Sequence, residues 1–174
     1  SGVATATREL VDQIAGTSAS LVDTRKTVPG LRALQKAAVQ AGGGQNHRMG
    51  LYDAVLIKDN HIAVAGSVEV AVEQARAAVG PGTSIEIEVE STEQLEAAIA
   101  AGADIVMLDN MSVNEMREAV LITDGRCRTE ASGGITIGTI HEVAKTGVDM
   151  ISVGWITHSA PALDVALDLE YLEG

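Results

Sequence analysis

Phenylalanine is absent from this 174-residue chain, and Tyr52, Trp155 and Tyr171 are its whole aromatic complement. A surface for stacking bases therefore has almost nothing to be built from. Cysteine occurs once, at Cys127, which excludes an intrachain disulfide and a cysteine-rich zinc site and fits a reducing, cytoplasmic setting. Positive charge is scarce too: 12 lysines and arginines face 24 carboxylates, and the net charge of −12 argues against a nucleic-acid partner. No apolar run approaches the roughly 20 residues that span a bilayer, and no charged stretch precedes a signal-like apolar one. Neither a membrane partner nor a targeting segment is expected.

Apolar residues are plentiful at 46%, enough for a real core in a chain whose length suits one domain, 1–174. The few positive charges are clustered. Arg25, Lys26, Arg32, Lys36, Arg48 and Lys58 lie in one segment against a single acid, Asp53, so the segment carries +5 and the remainder −17. Several of these charges fall where apolar runs end. Such an island suggests a small polyanionic ligand.

Apolar runs at about 19–23, 54–58, 85–89, 105–109, 128–132 and 150–154 predict six strands. Helical spacing lies between them, as at 31–39, 68–79, 92–102 and 137–147, with starts near Thr92 and Thr136 and stops near Gly42, Gly102 and Gly147. Strand and helix in alternation predict a parallel sheet with right-handed crossovers. A doubly wound sheet and a barrel both fit that spacing. Polar groups decide between them, because nearly every strand ends in some: Asp23-Thr-Arg-Lys26, Lys58-Asp-Asn60, Glu88 and Glu90, Asp109-Asn110, Ser132-Gly-Gly134, and Gly154. Chemistry spread over many strand ends favours a TIM-like (β/α) barrel, complete or open-sided.

In Ser84–Glu90 the residues alternate, with isoleucines and valine on one face and Glu86, Glu88 and Glu90 on the other. In a barrel those acids point inward and need cations. Lys26, Lys58, Arg48 or a metal are the candidates. Asp109 ends the next strand, within expected reach of Glu88, and two hard oxygen ligands suit Mg²⁺ held jointly with a phosphate. Ser132-Gly133-Gly134, followed by a helix start near Thr136, predicts a backbone anion site. Gly154 with Thr157-His158-Ser159 supplies a second such loop, as barrels often do in their last two units. Gly42-Gly43-Gly44 follows a helix rather than a strand and is no dinucleotide fingerprint.

Three linked blocks then stand out: Asp23–Lys36 (DTRKTVPGLRALQK), Gly42–Arg48 (GGGQNHR) and Leu56–His61 (LIKDNH). With Glu86–Glu90, Leu108–Asn110, Glu130–Gly134, Thr146–Asp149 and Val153–Ser159 following in order, the whole chain resembles the quinolinate phosphoribosyltransferases. The resemblance implies an open α/β barrel of about six strands that converts quinolinate and phosphoribosyl pyrophosphate to nicotinate mononucleotide, pyrophosphate and carbon dioxide with Mg²⁺, in NAD synthesis. It implies that Arg25, His47, Arg48 and Lys58 hold the two carboxylates of quinolinate, and that Lys26, Glu88 and Asp109 contact ribose and pyrophosphate, the two acids also serving Mg²⁺. Lys26, Lys58, Glu88 and Asp109 form the implied catalytic set. Ser132, Gly133, Gly134, Val153, Gly154 and Trp155 would bind phosphate through their backbone, with Thr24 and His158 completing the substrate-binding set. Family members work as homodimers or larger assemblies and carry an N-terminal α/β sandwich, which is not expected in this chain. Trp155 stands where the family usually has a small residue, and its ring would either narrow the site or pack outward. The alternative reading is a barrel that binds phosphoribosyl ligands without quinolinate turnover, or a paralogue with another base.

Overall fold

The computed structural model describes residues 1–80 and 82–170; Pro81 and 171–174, part of the expected 1–174 domain, lie outside the described residues. Six strands occur where the apolar runs predict them: β1 (Ser20–Val22), β2 (Val55–Ile57), β3 (Ile85–Val89), β4 (Ile105–Asp109), β5 (Arg128–Ser132) and β6 (Met150–Ser152). All pair in parallel, in the order β1-β6-β5-β4-β3-β2.

Register sorts the side chains into two faces. Ile85, Ile87, Val89, Val106, Leu108, Ala131 and Ile151 point outward and form the main core with the helices. Residues paired with the alternate positions point inward: Glu86 opposite Ile105, Glu88 opposite Met107, Met107 opposite Glu130, and Asp109 opposite Ser132. At the bottom of this inner face Val22, Ile105 and Met150 make a small apolar plug of their own. Above it the interior is polar.

The helices close the outer layer. They are α1 (Gly2–Gln13), α2 (Arg32–Ala41), α3 (Asp59–Ala65), α4 (Val68–Ala78), α5 (Thr92–Ala100), α6 (Val113–Thr123), α7 (Ile140–Ala144) and α8 (Trp155–His158). Three begin on serine caps, where Ser67, Ser91 and Ser112 accept hydrogen bonds from the N–H groups of Val70, Gln94 and Glu115. The start expected near Thr92 is correct. The start expected near Thr136 is not, since α7 begins at Ile140 and has only five residues. Thr136 N–H is taken by Thr139 Oγ1 at 3.0 Å, and its carbonyl accepts from Thr139 and Ile140, so these residues spend their polar groups on a turn.

β1 and β2 are the two ends of the sheet and do not pair. The free side of β1 is met by one residue, Gln45, whose N–H donates to Leu21 O at 2.8 Å and whose carbonyl accepts from Asp23 at 3.1 Å. Despite its open edge the sheet is strongly curled. The His47 ring, carried beside β1, touches Glu86 on β3 and Glu130 on β5. In a flat sheet of this order β1 and β3 would lie four strand spacings apart, roughly 19 Å. An open-sided barrel is therefore the architecture. No helix among the described residues is long and apolar enough to cross a membrane.

Candidate active site

Two adjoining cavities occupy the C-terminal end of the barrel. The larger, about 820 Å³, is lined by Thr24, Lys26, Lys58, Glu88, Asp109, Ser132, Gly133, Gly134, Val153, Gly154, Trp155 and His158 among others. The smaller, about 280 Å³, shares Thr24, Lys26, Lys58, Glu88 and Ser132 with it and adds Arg25, His47 and Arg48. Every site residue expected from the sequence thus lines one cavity or the other. The division follows chemistry, with glycine-rich loops around the large cavity and guanidinium groups around the small one.

The small cavity holds unbalanced positive charge. Arg25 Nε is buried with no hydrogen-bond partner. Burial, and then the like charge of Arg25, lower the pKa of Arg48, whose recorded hydrogen bond goes to the carbonyl of Ala54 at 3.3 Å. Two guanidinium groups held together with a donor unspent make a receptor for an anion.

Lys58 pairs with Glu88 across the mouth. Glu88 and Asp109 sit on one face of adjacent strands, with Asp109 one inward-facing position further along. Asp109 Oδ2 accepts from Asn110 Nδ2 at 2.9 Å, which keeps the carboxylate on the cavity side. Asn110 itself has a φ of +54°. Gly133, at φ +99°, passes so close that a Cβ there would collide with the Asn110 side chain and lie 3.0 Å from its backbone nitrogen. Glycine is required at that spot because two loops touch.

Trp155 packs partly against the main core, and its Nε1–H donates to Ile135 O at 3.2 Å. The ring both lines the large cavity and ties the two glycine loops together. Gly154 leaves space that a Cβ would take from Lys26 Cδ, Thr24 Oγ1 and His158 Nε2, at 3.3, 3.4 and 3.6 Å.

Beneath these groups is a buried network that sequence reasoning missed. Lys36 and Asp23 form an ion pair with neither side chain exposed. Asp23 Oδ1 also accepts from the N–H of His47 at 2.9 Å, and Lys36 Nζ donates to His47 O at 3.1 Å. Burial drives the Asp23 carboxyl up, against the pull of Lys36 and the His47 N–H. His47 Nε2 lies 2.8 Å from Glu86 and 3.2 Å from Glu130. Among the inward-facing acids, Glu88 is met by Lys58, one of the expected cations, whereas Glu86 is met by His47, which is not among them. Lys36 could have been found from spacing alone, since it lies three residues before Val39 on the buried side of α2.

The sequence family described as quinolinate phosphoribosyl transferase, C-terminal domain, matches residues 3–168. The chain belongs to that family. It is 50% identical to a probable nicotinate-nucleotide pyrophosphorylase (carboxylating) of Bacillus subtilis, over 97% of this chain and 58% of that protein. It is also 50% identical to a nicotinate-nucleotide pyrophosphorylase (carboxylating) of Mycobacterium leprae, over 97% of this chain and 60% of that one. The structure of the nicotinate-nucleotide pyrophosphorylase from Francisella tularensis superposes with a TM-score of 0.91 at 50% identity, over 94% of this chain and 58% of that chain. The chain therefore spans somewhat under two thirds of the length of the relatives it matches.

Proposed function

We propose that this chain is the barrel domain of a cytoplasmic enzyme that transfers phosphoribosyl from phosphoribosyl pyrophosphate to quinolinate, with loss of carbon dioxide, giving nicotinate mononucleotide and pyrophosphate. The observation that carries the reading is the unspent donor of Arg25 beside Arg48, in a cavity that opens into one ringed by glycine loops. A planar dicarboxylate fits the first cavity. A phosphorylated sugar fits the second. Family membership and the names of the relatives support both.

In this reading Arg25, Arg48 and Lys58, with His47, bind the two ring carboxylates, and bidentate contacts from the guanidinium forks fix the ring plane. Backbone N–H groups of Ser132–Gly134 and of Val153–Trp155 take the 5′-phosphate, with Thr24, Lys26 and His158 beside them. As pyrophosphate leaves, positive charge grows on the ribose, and the carboxylates of Glu88 and Asp109 stabilise it. When the ring then loses carbon dioxide, the cationic cluster stabilises the negative charge at C2 until a proton replaces it. Lys26, Lys58, Glu88 and Asp109 are the catalytic set.

Mg²⁺ fits the same place. Glu88 and Asp109 are hard oxygen donors that line the cavity, and two carboxylates leave most of an octahedral shell to water and substrate phosphate. Bound there with pyrophosphate, the ion would neutralise the leaving group's charge. The enzyme works as a homodimer or larger assembly, a reading supported by exposed Leu34, Leu51, Tyr52 and Val64. The test is to incubate the complete enzyme with quinolinate, phosphoribosyl pyrophosphate and Mg²⁺ and measure nicotinate mononucleotide. Binding of phosphoribosyl pyrophosphate with no such product would sink the reading.

A further inference from the structure

We propose that Glu130, together with Glu86, is a positioning residue: the two carboxylates grip Nε2 of His47 and so fix the edge that its ring shows to the smaller cavity. The inference rests on the reading above, in which that cavity takes quinolinate.

The grip is visible in the strand geometry. Glu86 on β3 and Glu130 on β5 are separated by β4, so their backbones stand roughly 10 Å apart. Their side chains nevertheless converge, because the His47 ring is inserted between them from the opposite wall of the barrel. Nε2 is 2.8 Å from Glu86 Oε2 and 3.2 Å from Glu130 Oε2. Both glutamates are almost completely buried, at 3% and 0% exposure; neither Oε1 atom has a hydrogen-bond partner, and Glu130 Oε2 meets His47 as an ion-pair contact without hydrogen-bond geometry. Two carboxylates so placed repel each other and are poorly solvated, so they need a donor or a cation between them. His47 is that group. Burial lowers its pKa, but attraction to the Glu130 and Glu86 carboxylates outweighs burial and raises it from 6.5 to about 10.

The histidine has no slack elsewhere. Its N–H is held by Asp23 and its carbonyl by Lys36, at 2.9 and 3.1 Å. With Nε2 committed inward, the Nδ1 edge is what remains for a ligand in the cavity that His47 and Glu130 both line. Removing a carboxylate would free the ring to turn and spoil the spacing between His47 and Arg48. Glu130 thus acts on the substrate through His47.

The test has a spectroscopic arm and a kinetic arm. The chain contains four histidines, His47, His61, His141 and His158, so ¹⁵N-histidine labelling of the full chain gives a tractable ring spectrum. E130Q and, separately, E86Q should each shift the His47 ring nitrogens and leave the other three in place. In the complete enzyme, E130Q should raise the KM for quinolinate about tenfold or more, leave the KM for phosphoribosyl pyrophosphate unchanged, and lower kcat less. Placed in an H47A background, E130Q should add nothing further.

A merely structural glutamate would lower the melting temperature without separating the two KM values, and that result overturns the proposal. So does an E130Q effect that adds fully to H47A. Zn²⁺ or Co²⁺ bound one-to-one by the wild-type chain and lost in E130Q would make the cluster a metal site, which also overturns it. Should the wild-type enzyme fail to bind quinolinate in calorimetry, the reading of the cavity falls. The ring spectra then decide the grip alone, and unchanged His47 signals in both variants sink it.

Discussion

Lys36 is the one lysine among the described residues with no exposed surface, and its charge is answered by an equally buried Asp23. Breaking such a pair is far costlier than deleting a surface one, because it strands the other charge. Lys36→Met should therefore lower stability by about 3–5 kcal/mol. For a domain of this size that is on the order of 10 °C in melting temperature, measurable by scanning calorimetry. A loss below about 1 kcal/mol would show that the pair is better solvated than its burial implies. His47 makes a prediction of pH dependence. Its pKa is raised in the folded chain to about 10, so the stability it contributes is complete below 6.5 and is lost as pH rises through that window. Burial raises Glu86 from 4.5 to about 7, which acts in the same direction but at lower pH, between 4.5 and 7. Urea unfolding should accordingly give a stability that falls from pH 6.5 to 10, and H47A should flatten the slope. At Asp109 the expectation is catalytic. Asp109→Asn keeps the shape and removes the charge, so in the complete enzyme kcat should fall at least tenfold, more than either KM changes. At this scale the sequence was only half readable. Strand-end residues announced themselves by position, but the partners of Asp23, Glu86 and Glu130 are distant along the chain and did not.

Strands were the most legible elements because each face of the barrel has its own solvent. The alternation of Ile85, Ile87 and Val89 with Glu86 and Glu88 encodes a greasy outside and a polar inside, and the structure follows it residue by residue. Short loops are harder to read. The helix expected from Thr136 starts four residues later because the Thr139 hydroxyl there accepts from the Thr136 N–H and donates to its carbonyl instead. Trp155 illustrates the same limit, since only the fold reveals that its indole N–H reaches Ile135 and joins the two glycine loops. The glycine loop itself is testable. At Gly133 any side chain meets a positive φ and the Asn110 contact together, so Gly133→Ala must displace one loop from the other. Strain of this kind costs about 1–3 kcal/mol. Phosphate affinity should drop by tenfold or more. Trp155, the single tryptophan, lines the same cavity, so its emission during a phosphate titration is the measurement. Unchanged affinity in a folded Gly133→Ala chain would remove this loop from the phosphate site.

Across the whole molecule, the expected phosphate-binding and cationic groups gather around two cavities at one end of a curled sheet, yet the chain spans only 58–60% of the Bacillus subtilis and Mycobacterium leprae relatives. The larger cavity is built from the ends of β1 to β6 together with residues of α3, α5 and α8. The smaller one depends on the segment around His47, which leans on the free edge of β1 and is otherwise held by buried charges. Leu34, Leu51, Tyr52 and Val64 are 70%, 73%, 82% and 91% exposed, and the alternating Leu163, Val165, Leu167 and Leu169 are exposed as well. Apolar surface on this scale is costly in water and favours a covering layer. We propose that the part of the relatives' length this chain does not span, together with a second subunit, supplies that layer over the smaller cavity. Without cover, water enters, the cations lose strength, and a misplacement of even 1 Å can cost about a hundredfold in rate. The 174 residues alone should therefore bind phosphoribosyl pyrophosphate weakly, self-associate as their concentration rises, and turn over quinolinate at less than about one hundredth of the complete enzyme's rate. Sedimentation gives the first check on association, and product assays of the chain alone, then with the sandwich added as a second polypeptide, give the decisive one. Full turnover by the chain alone would show that the barrel closes its own pocket and that the exposed apolar surface serves something other than catalysis.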